Sequence, residues 1–261
     1  MVDLGTASSY AVLAGTAVTS TGLTLVNGDL GVNPGSAVTG FPPGLVNGAM
    51  HAGDAAAGQA QSDLTAAYND AAGRTYNITY GGGFDLVGLT LTSGVYHDAS
   101  SLFLSGTLTL DAQGNPDAVW IFQAGSTFIT AANSMVALIG GAQACHVFWQ
   151  VGSSATLGTD TDFAGNILAL QSITLDTGTT VDGRVLARNG AVTLDNNTVT
   201  RAVCKNDVTG GTPLPDGGST LLLFSSALVT LFAFGRQLSP RFNSETRPHT
   251  IQQLRLAKFN K

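Results

Sequence analysis

The sequence predicts a mainly β protein wound as a β-helix, with one long α-helix laid along its side. Three observations carry that expectation. The triplets Ala-Thr-Leu, Ile-Thr-Leu and Val-Thr-Leu, with their threonines at Thr156, Thr174 and Thr193, recur 18 and 19 residues apart, and a cluster of Thr, Asp, Gly or Asn follows each. A second echo relates 121–136 to 148–163, with Gln123 and Gln150, Gly125 and Gly152, and Ser126 and Ser153 all offset by 27. Near-repeats with insertions of variable size are the trace of an irregular solenoid, in which each coil buries its edges against the next. Third, the chain is 44% hydrophobic but only 11% charged, where soluble domains carry about 25%. Such a balance, rich in Gly, Thr, Ala, Val and Leu, suits β-structure with neutral, hydroxyl-lined faces.

The elements follow in order. Residues 1–48 alternate short apolar runs with Gly, Asn and Pro turns, as in "LTLVNGDLGVNPG", which is strand-and-turn chemistry. Residues 49–73 change character. Ala52, Ala56, Ala60, Leu64, Ala67 and Ala71 step by three or four, which predicts a helix whose small-residue stripe sits close on a flat surface. Gly73 fits its C-terminal stop. Strand signals return at Leu86. In the coils, Leu157, Leu175 and Leu194 are expected to stack inside as one ladder, and Phe163, Val181 and Val199 as another. We therefore read residues 1–205 as one solenoid. A β-sandwich of the same strand count is the alternative, and the regular Thr-Leu register favours the solenoid.

Charge excludes some functions. Residues 1–210 carry fifteen Asp against four Arg and one Lys, a net −10, while 211–261 carry Asp216 and Glu245 against four Arg and two Lys, a net +4. An acidic body without a basic stripe speaks against nucleic-acid binding. Cys145 and Cys204 are either one disulfide, as an oxidising compartment would allow, or two buried thiols. His51, His97 and His249 are isolated and only His146 adjoins a cysteine, so no metal or other cofactor is expected. Residues 1–10 show neither a basic n-region nor an apolar h-region, so a secretory signal is expected to have been lost upstream.

After Cys204 the character changes again. Residues 206–218 are a Gly/Pro linker, 219–235 an apolar segment and 236–261 a basic tail. The segment 213–236, "PLPDGGSTLLLFSSALVTLFAFGR", resembles the bacterial Pro-Asp/Glu-Pro type of C-terminal sorting signal, in the variant with a Pro-Asp-Ser-Gly core. Gly217 stands where that core has Ser. The resemblance implies a secreted or cell-surface bacterial protein, held in the membrane by this segment until an exosortase-type enzyme removes it. Arg236 and Arg241 past the apolar run fit a body outside and a tail inside.

The body itself carries longer strings, among them "LGTASSYAVLAGTAVTSTGLTLVNGDLGVNPGSAVTGFPPG", "GTLTLDAQGNPDAVWIFQAGSTF" and "GAQACHVFWQVGSSATLGT". Over residues 4–202 these closely resemble the microbial ice-binding protein family. The resemblance implies a right-handed, discontinuous β-helix of triangular section with a long α-helix alongside. It also implies adsorption to an ice surface, with inhibition of growth and recrystallisation and no catalysis. The family's ice face carries a Thr–small–any–Thr/Asn pattern. Thr21-Gly22-Leu23-Thr24 and Thr177-Gly178-Thr179-Thr180 match it, while Thr159-Asp160-Thr161-Asp162 and Ala131-Ala132-Asn133-Ser134 depart from it. The expected face is thus Thr19, Thr21, Thr24, Asn133, Thr159, Thr161, Thr177, Thr179 and Thr180. Asp160 and Asp162 are expected to weaken it, because a carboxylate is costly to strip of liquid water. Two rivals remain: a cell-surface adhesin or structural solenoid, and a polysaccharide-active enzyme built on Asp182, Arg184 and Arg188.

Overall fold

The apolar runs become short strands that pair with the strand one coil away rather than with their neighbours in sequence. A computed structural model describes residues 1–205; the linker, apolar segment and basic tail lie outside the described residues. Every strand pair is parallel, and the strands stack into three faces.

The first face runs from Met50–Ala52 through Asp29–Val32, Tyr10–Ala14, Val147–Val151, Trp120–Ala124 and Gly94–Asp98 to Ile78–Tyr80. The far halves of Thr180–Ala187 and Asp162–Ala169 complete it, between Tyr10–Ala14 and Val147–Val151. The second holds Ala37–Thr39, Ala17–Thr21, Val192–Asp195, Ile173–Leu175, Ala155–Leu157, Phe128–Thr130, Leu102–Leu104 and Phe84–Asp85. The third holds Leu45–Asn47, Leu25–Asn27, Thr198–Thr200, the near halves of the two long strands, Met135–Ile139, Thr107–Asp111 and Thr90–Leu91. The two long strands pass one corner unbroken. They bend at Gly165 and Gly183, where φ is 119° and 154°. A Cβ on Gly183 would lie 1.8 Å from the Gly165 carbonyl oxygen, so only glycine lets the two coils close there.

The order of coils is not the order of the chain. The first coil lies between the second and the last, through Val18↔Val192, Val26↔Val199 and Leu13↔Leu186. The chain therefore has to cross from one end of the stack to the other, and the helix Ala55–Gly73 carries it. Nineteen residues make about 28 Å of helix, roughly six rung spacings. The helix begins later than the sequence pattern implied. Residues 50–52 pair as a strand with Leu30–Val32, and the Asp54 carboxylate accepts from the Ala57 amide at 2.9 Å as the N-cap. Ala52 and Ala56 are exposed; the buried stripe is Ala57, Ala60, Leu64, Ala67, Tyr68 and Ala71.

This stripe covers Leu13, Leu186, Leu168, Gln150 and Gln123, one continuous ladder on the first face. The polar members are used. Gln150 Nε2 donates to the Tyr68 hydroxyl at 2.8 Å, and Gln123 Nε2 donates to the Ala71 and Arg74 carbonyls at 2.8 Å, satisfying helix-end acceptors that lack partners within the helix.

Inside, the Leu157–Leu175 and Phe163–Val181–Val199 ladders stack in register. Aromatic side chains fill the interior of the coils that are 27 residues apart. Phe122 stacks on Trp149 at 4.0 Å between centroids, and Trp149 on Phe128 at 4.6 Å.

Candidate functional site

With the first face under the helix, the flat second face is a broad surface open to solvent. Along a strand, side chains alternate between inside and outside. Because Val18, Val192, Ile173 and Ala155 point inward, the residues after them point out. Thr39, Thr19, Thr193, Thr174 and Thr156 thus form one column on five adjacent strands. Two residues earlier in the chain, at the start of each strand or just before it, is a column of small side chains: Ala37, Ala17, Ala191, Ser172 and Ser154. Rungs stack about 4.8 Å apart and the two columns are about 6.7 Å apart, so the face is a two-dimensional grid. Threonine holds its place on it because β-branching leaves χ1 few options. Beyond Thr156 the column continues as Ile129, Phe103 and Asp85, and the hydroxyl character ends.

The corner between the second and third faces explains the Thr–small–any–Thr pattern. Gly22, Asn196, Gly178, Asp160 and Asn133 occupy the same corner position, with φ of 69°, 53°, 78°, 55° and 57°. That left-handed conformation favours Gly, Asn and Asp. Before it, Thr21, Asp195, Thr177 and Thr159 lie at the rim of the flat face. After it, Thr24, Asn197, Thr179, Thr161 and Ser134 turn inward, none more than 1% exposed. Their polar atoms serve the corner backbone. Thr179 Oγ1 donates to the Gly158 carbonyl at 3.0 Å, Thr161 Oγ1 to the same carbonyl at 2.6 Å, and Asn197 Nδ2 to the Asp176 carbonyl at 2.8 Å.

The expected face is therefore redrawn. Thr19, Thr21, Thr159 and Thr177 belong to the flat face or its rim, and Asn133 is exposed at the corner. Thr24, Thr161 and Thr179 are interior and touch no solvent surface: the corner reverses the parity that an unbroken strand would keep. Thr180 is exposed, but it opens the third face beside Asp162 and Thr198, donating to the Asp162 carboxylate at 3.0 Å. Thr39, Thr156, Thr174 and Thr193, which the Thr–small–any–Thr pattern does not name, stand in the column at the middle of the second face. Their signal was present, since an inward Leu157, Leu175 and Leu194 requires the preceding Thr to face out.

Charge is sparse on this grid. Asp195 is at the rim, where the Thr177 hydroxyl and then the Thr21 hydroxyl, at 2.6 Å, donate to its carboxylate and hold it below the usual range. Asp160 sits at the corner, and Asp162 and Asp182 on the third face. Although Asp182 is open to solvent on one side, partial desolvation of its carboxyl against the coil, and then the neighbouring Asp162, push it above its ordinary value.

The Asp182, Arg184 and Arg188 set does not converge. Asp182 is exposed. Arg184 is buried against the Ser8 carbonyl and Asn166, and Arg188 donates to Thr65 on the helix at 3.1 Å. Cys145 and Cys204 are joined in a disulfide with Cα atoms 5.6 Å apart. The sulfurs adjoining His146 are therefore not free thiolates for a metal.

A family model described as "Ice-binding-like" matches residues 12–200. The chain is 50% identical over 236 residues to an "Ice-binding protein" of Nostoc sp., the match covering 90% of this chain and 87% of that protein. A crystal structure described as an ice binding protein from an Antarctic biological consortium superposes with a TM-score of 0.75 at 50% identity, over 77% of this chain and 91% of that one. An ice-binding protein from the Antarctic ascomycete Antarctomyces psychrotrophicus gives a TM-score of 0.75 at 43% identity, over 77% and 98%.

Proposed function

The chain belongs to the Ice-binding-like family, and on that premise we propose that it adsorbs to ice through the second face, with the Thr39–Thr156 column at the centre of contact. One observation carries the assignment of the face: five threonines stack in register beside a column of Ala and Ser, with no charged residue between them. Each threonine offers a hydroxyl that hydrogen-bonds water and a methyl that excludes disordered solvent. A stiff grid of such groups orders water in a repeating pattern, and an advancing crystal incorporates that pattern. Each contact is weak, but all engage at once. The face is preformed by the solenoid, so little ordering entropy is lost on contact. The contact involves no bond making or breaking, and binding rather than catalysis is the function.

Growth of a single ice crystal in a solution of the chain tests this reading. Faceted crystals with arrested growth are expected; round crystals that grow unhindered would refute it.

We also propose that the protein works outside the cell. The Cys145–Cys204 disulfide supports this, since such bonds persist in oxidising compartments. The 213–236 segment supports membrane retention followed by removal by a processing enzyme. The mass of the cell-associated protein checks the second point. A species ending upstream of residue 219 is expected, and an intact C-terminus would contradict it.

A further inference from the structure

At the corner between the third and first faces, away from the hydroxyl grid, lies a cavity of about 300 Å³. Val2, Leu4, Phe148, Val203, Arg184 and Arg201 line it, and the Cys145–Cys204 bridge forms part of its wall. Arg184 is only 6% exposed. Its Nε and Nη2 donate to the Ser8 carbonyl at 3.0 and 2.7 Å, its Nη1 donates to Asn166 Oδ1 at 2.8 Å, and Arg201 Nη1 reaches the same Ser8 carbonyl at 3.4 Å. These acceptors are all neutral. Among the described residues the ion pairs are His51–Asp54 and Arg74–Asp70, so neither guanidinium has a carboxylate partner. Asp3 also lines the cavity, but its Oδ1 accepts from the Gly5 amide at 2.9 Å. Two guanidinium groups thus flank one cavity with no carboxylate in direct contact; Asp3 stands elsewhere on the wall and Asp182 attracts Arg184 from beyond ion-pair distance. Burial first and Arg201 second pull Arg184 down to about 10, against the attraction of Asp182.

A buried cation with no carboxylate in direct contact is costly, and an anion brought into contact with it recovers part of the cost. Guanidinium groups are the preferred partners of carboxylates because their donors match the two oxygens. The rest of the wall is apolar, and the volume is at the lower end of the range for small-molecule sites. We propose that this cavity binds a small organic monoanion, a carboxylate carrying an apolar body of benzoate size. Its carboxylate sits on Arg201 and Arg184, and its body lies against Val2, Leu4 and Phe148. Such a ligand ties the N-terminal turn to the end of the last coil, and it stabilises the fold by mass action.

Isothermal titration calorimetry of the full chain with benzoate, at fixed ionic strength in chloride, tests the site. Saturable binding to one site is expected. Arg201→Gln is expected to weaken it at least tenfold. Val203→Trp, placed at an exposed lining position, is expected to block it while melting temperature and ice-growth inhibition stay unchanged. Absence of saturable binding would overturn the proposal, and so would equal binding by the parent and both variants. Displacement of benzoate by inorganic phosphate as readily as by a second aryl carboxylate would overturn the ligand class.

Discussion

Thr19 and Thr193 are 174 positions apart in the chain, yet their hydroxyl oxygens lie 3.5 Å apart on adjacent coils. They meet where the first coil docks on the last, so the threonine column crosses the seam without interruption. Thr19→Val and Thr193→Val keep the branched shape and remove only the hydroxyl. Each is expected to change stability by less than about 0.5 kcal/mol, as at other surface positions, and to lower thermal hysteresis measurably. Unchanged hysteresis in the double variant would mean that methyl groups alone do the work.

Thr179 provides the opposite case. It lies in the matched Thr-Gly-Thr-Thr string but is wholly buried, bonded to the Gly158 carbonyl. Thr179→Val removes one donor from that carbonyl, which keeps the Thr161 hydroxyl, and is expected to cost about 0.5–1.5 kcal/mol in chemical denaturation. Hysteresis per folded molecule is expected to stay at the parent level.

Asp195 gives the rim a pH response. Its folded-state value is lowered by the Thr177 and Thr21 hydroxyls from an ordinary 3.8. The contribution of its carboxylate is therefore complete above the unfolded value and is lost as pH falls through the lowered folded value. Ice activity and rim geometry are expected to be constant from neutral pH down to about 5 and to change only below 3.8. In Asp195→Asn that acid-side change should vanish, as measured by hysteresis across a pH series.

The disulfide closes a span of 59 residues between the 142–146 segment and the end of the last coil. The chain-entropy relation assigns such a loop about 4 kcal/mol, which corresponds to roughly 10 °C in melting temperature for a body of this size. Cys204→Ser is expected to lose stability on that scale in differential scanning calorimetry. Reductant is expected to act on the parent and to have no effect on the variant.

Much of the architecture was legible in the sequence because a solenoid repeats itself. The Thr-Leu triplets revealed three coils, and the alternation of strand side chains placed Leu157, Leu175 and Leu194 inside. What failed did so at the corners. Asp160, Asn133 and Asn196 adopt the left-handed conformation, and the residue after each points in rather than out. A pattern that looks like a surface motif is thus half surface and half corner, and Thr24, Thr161 and Thr179 were misplaced for that reason. The seam was illegible for another reason: nothing local in residues 10–27 specifies a partner more than 170 positions away. The helix start was displaced because Met50–Ala52 has a strand to pair with, and Asp54 is the capping residue that ends the competition.

Thermal hysteresis of Thr174→Tyr beside Thr200→Tyr tests the central claim most directly. Thr174 sits in the middle of the threonine column, and Thr200 is exposed on the third face. A bulky ring on the grid is expected to remove most of the activity, and the same ring on the third face is expected to leave it intact, with both variants folded by circular dichroism. Full activity in Thr174→Tyr, or its loss only in Thr200→Tyr, would contradict the assignment of the ice-facing surface.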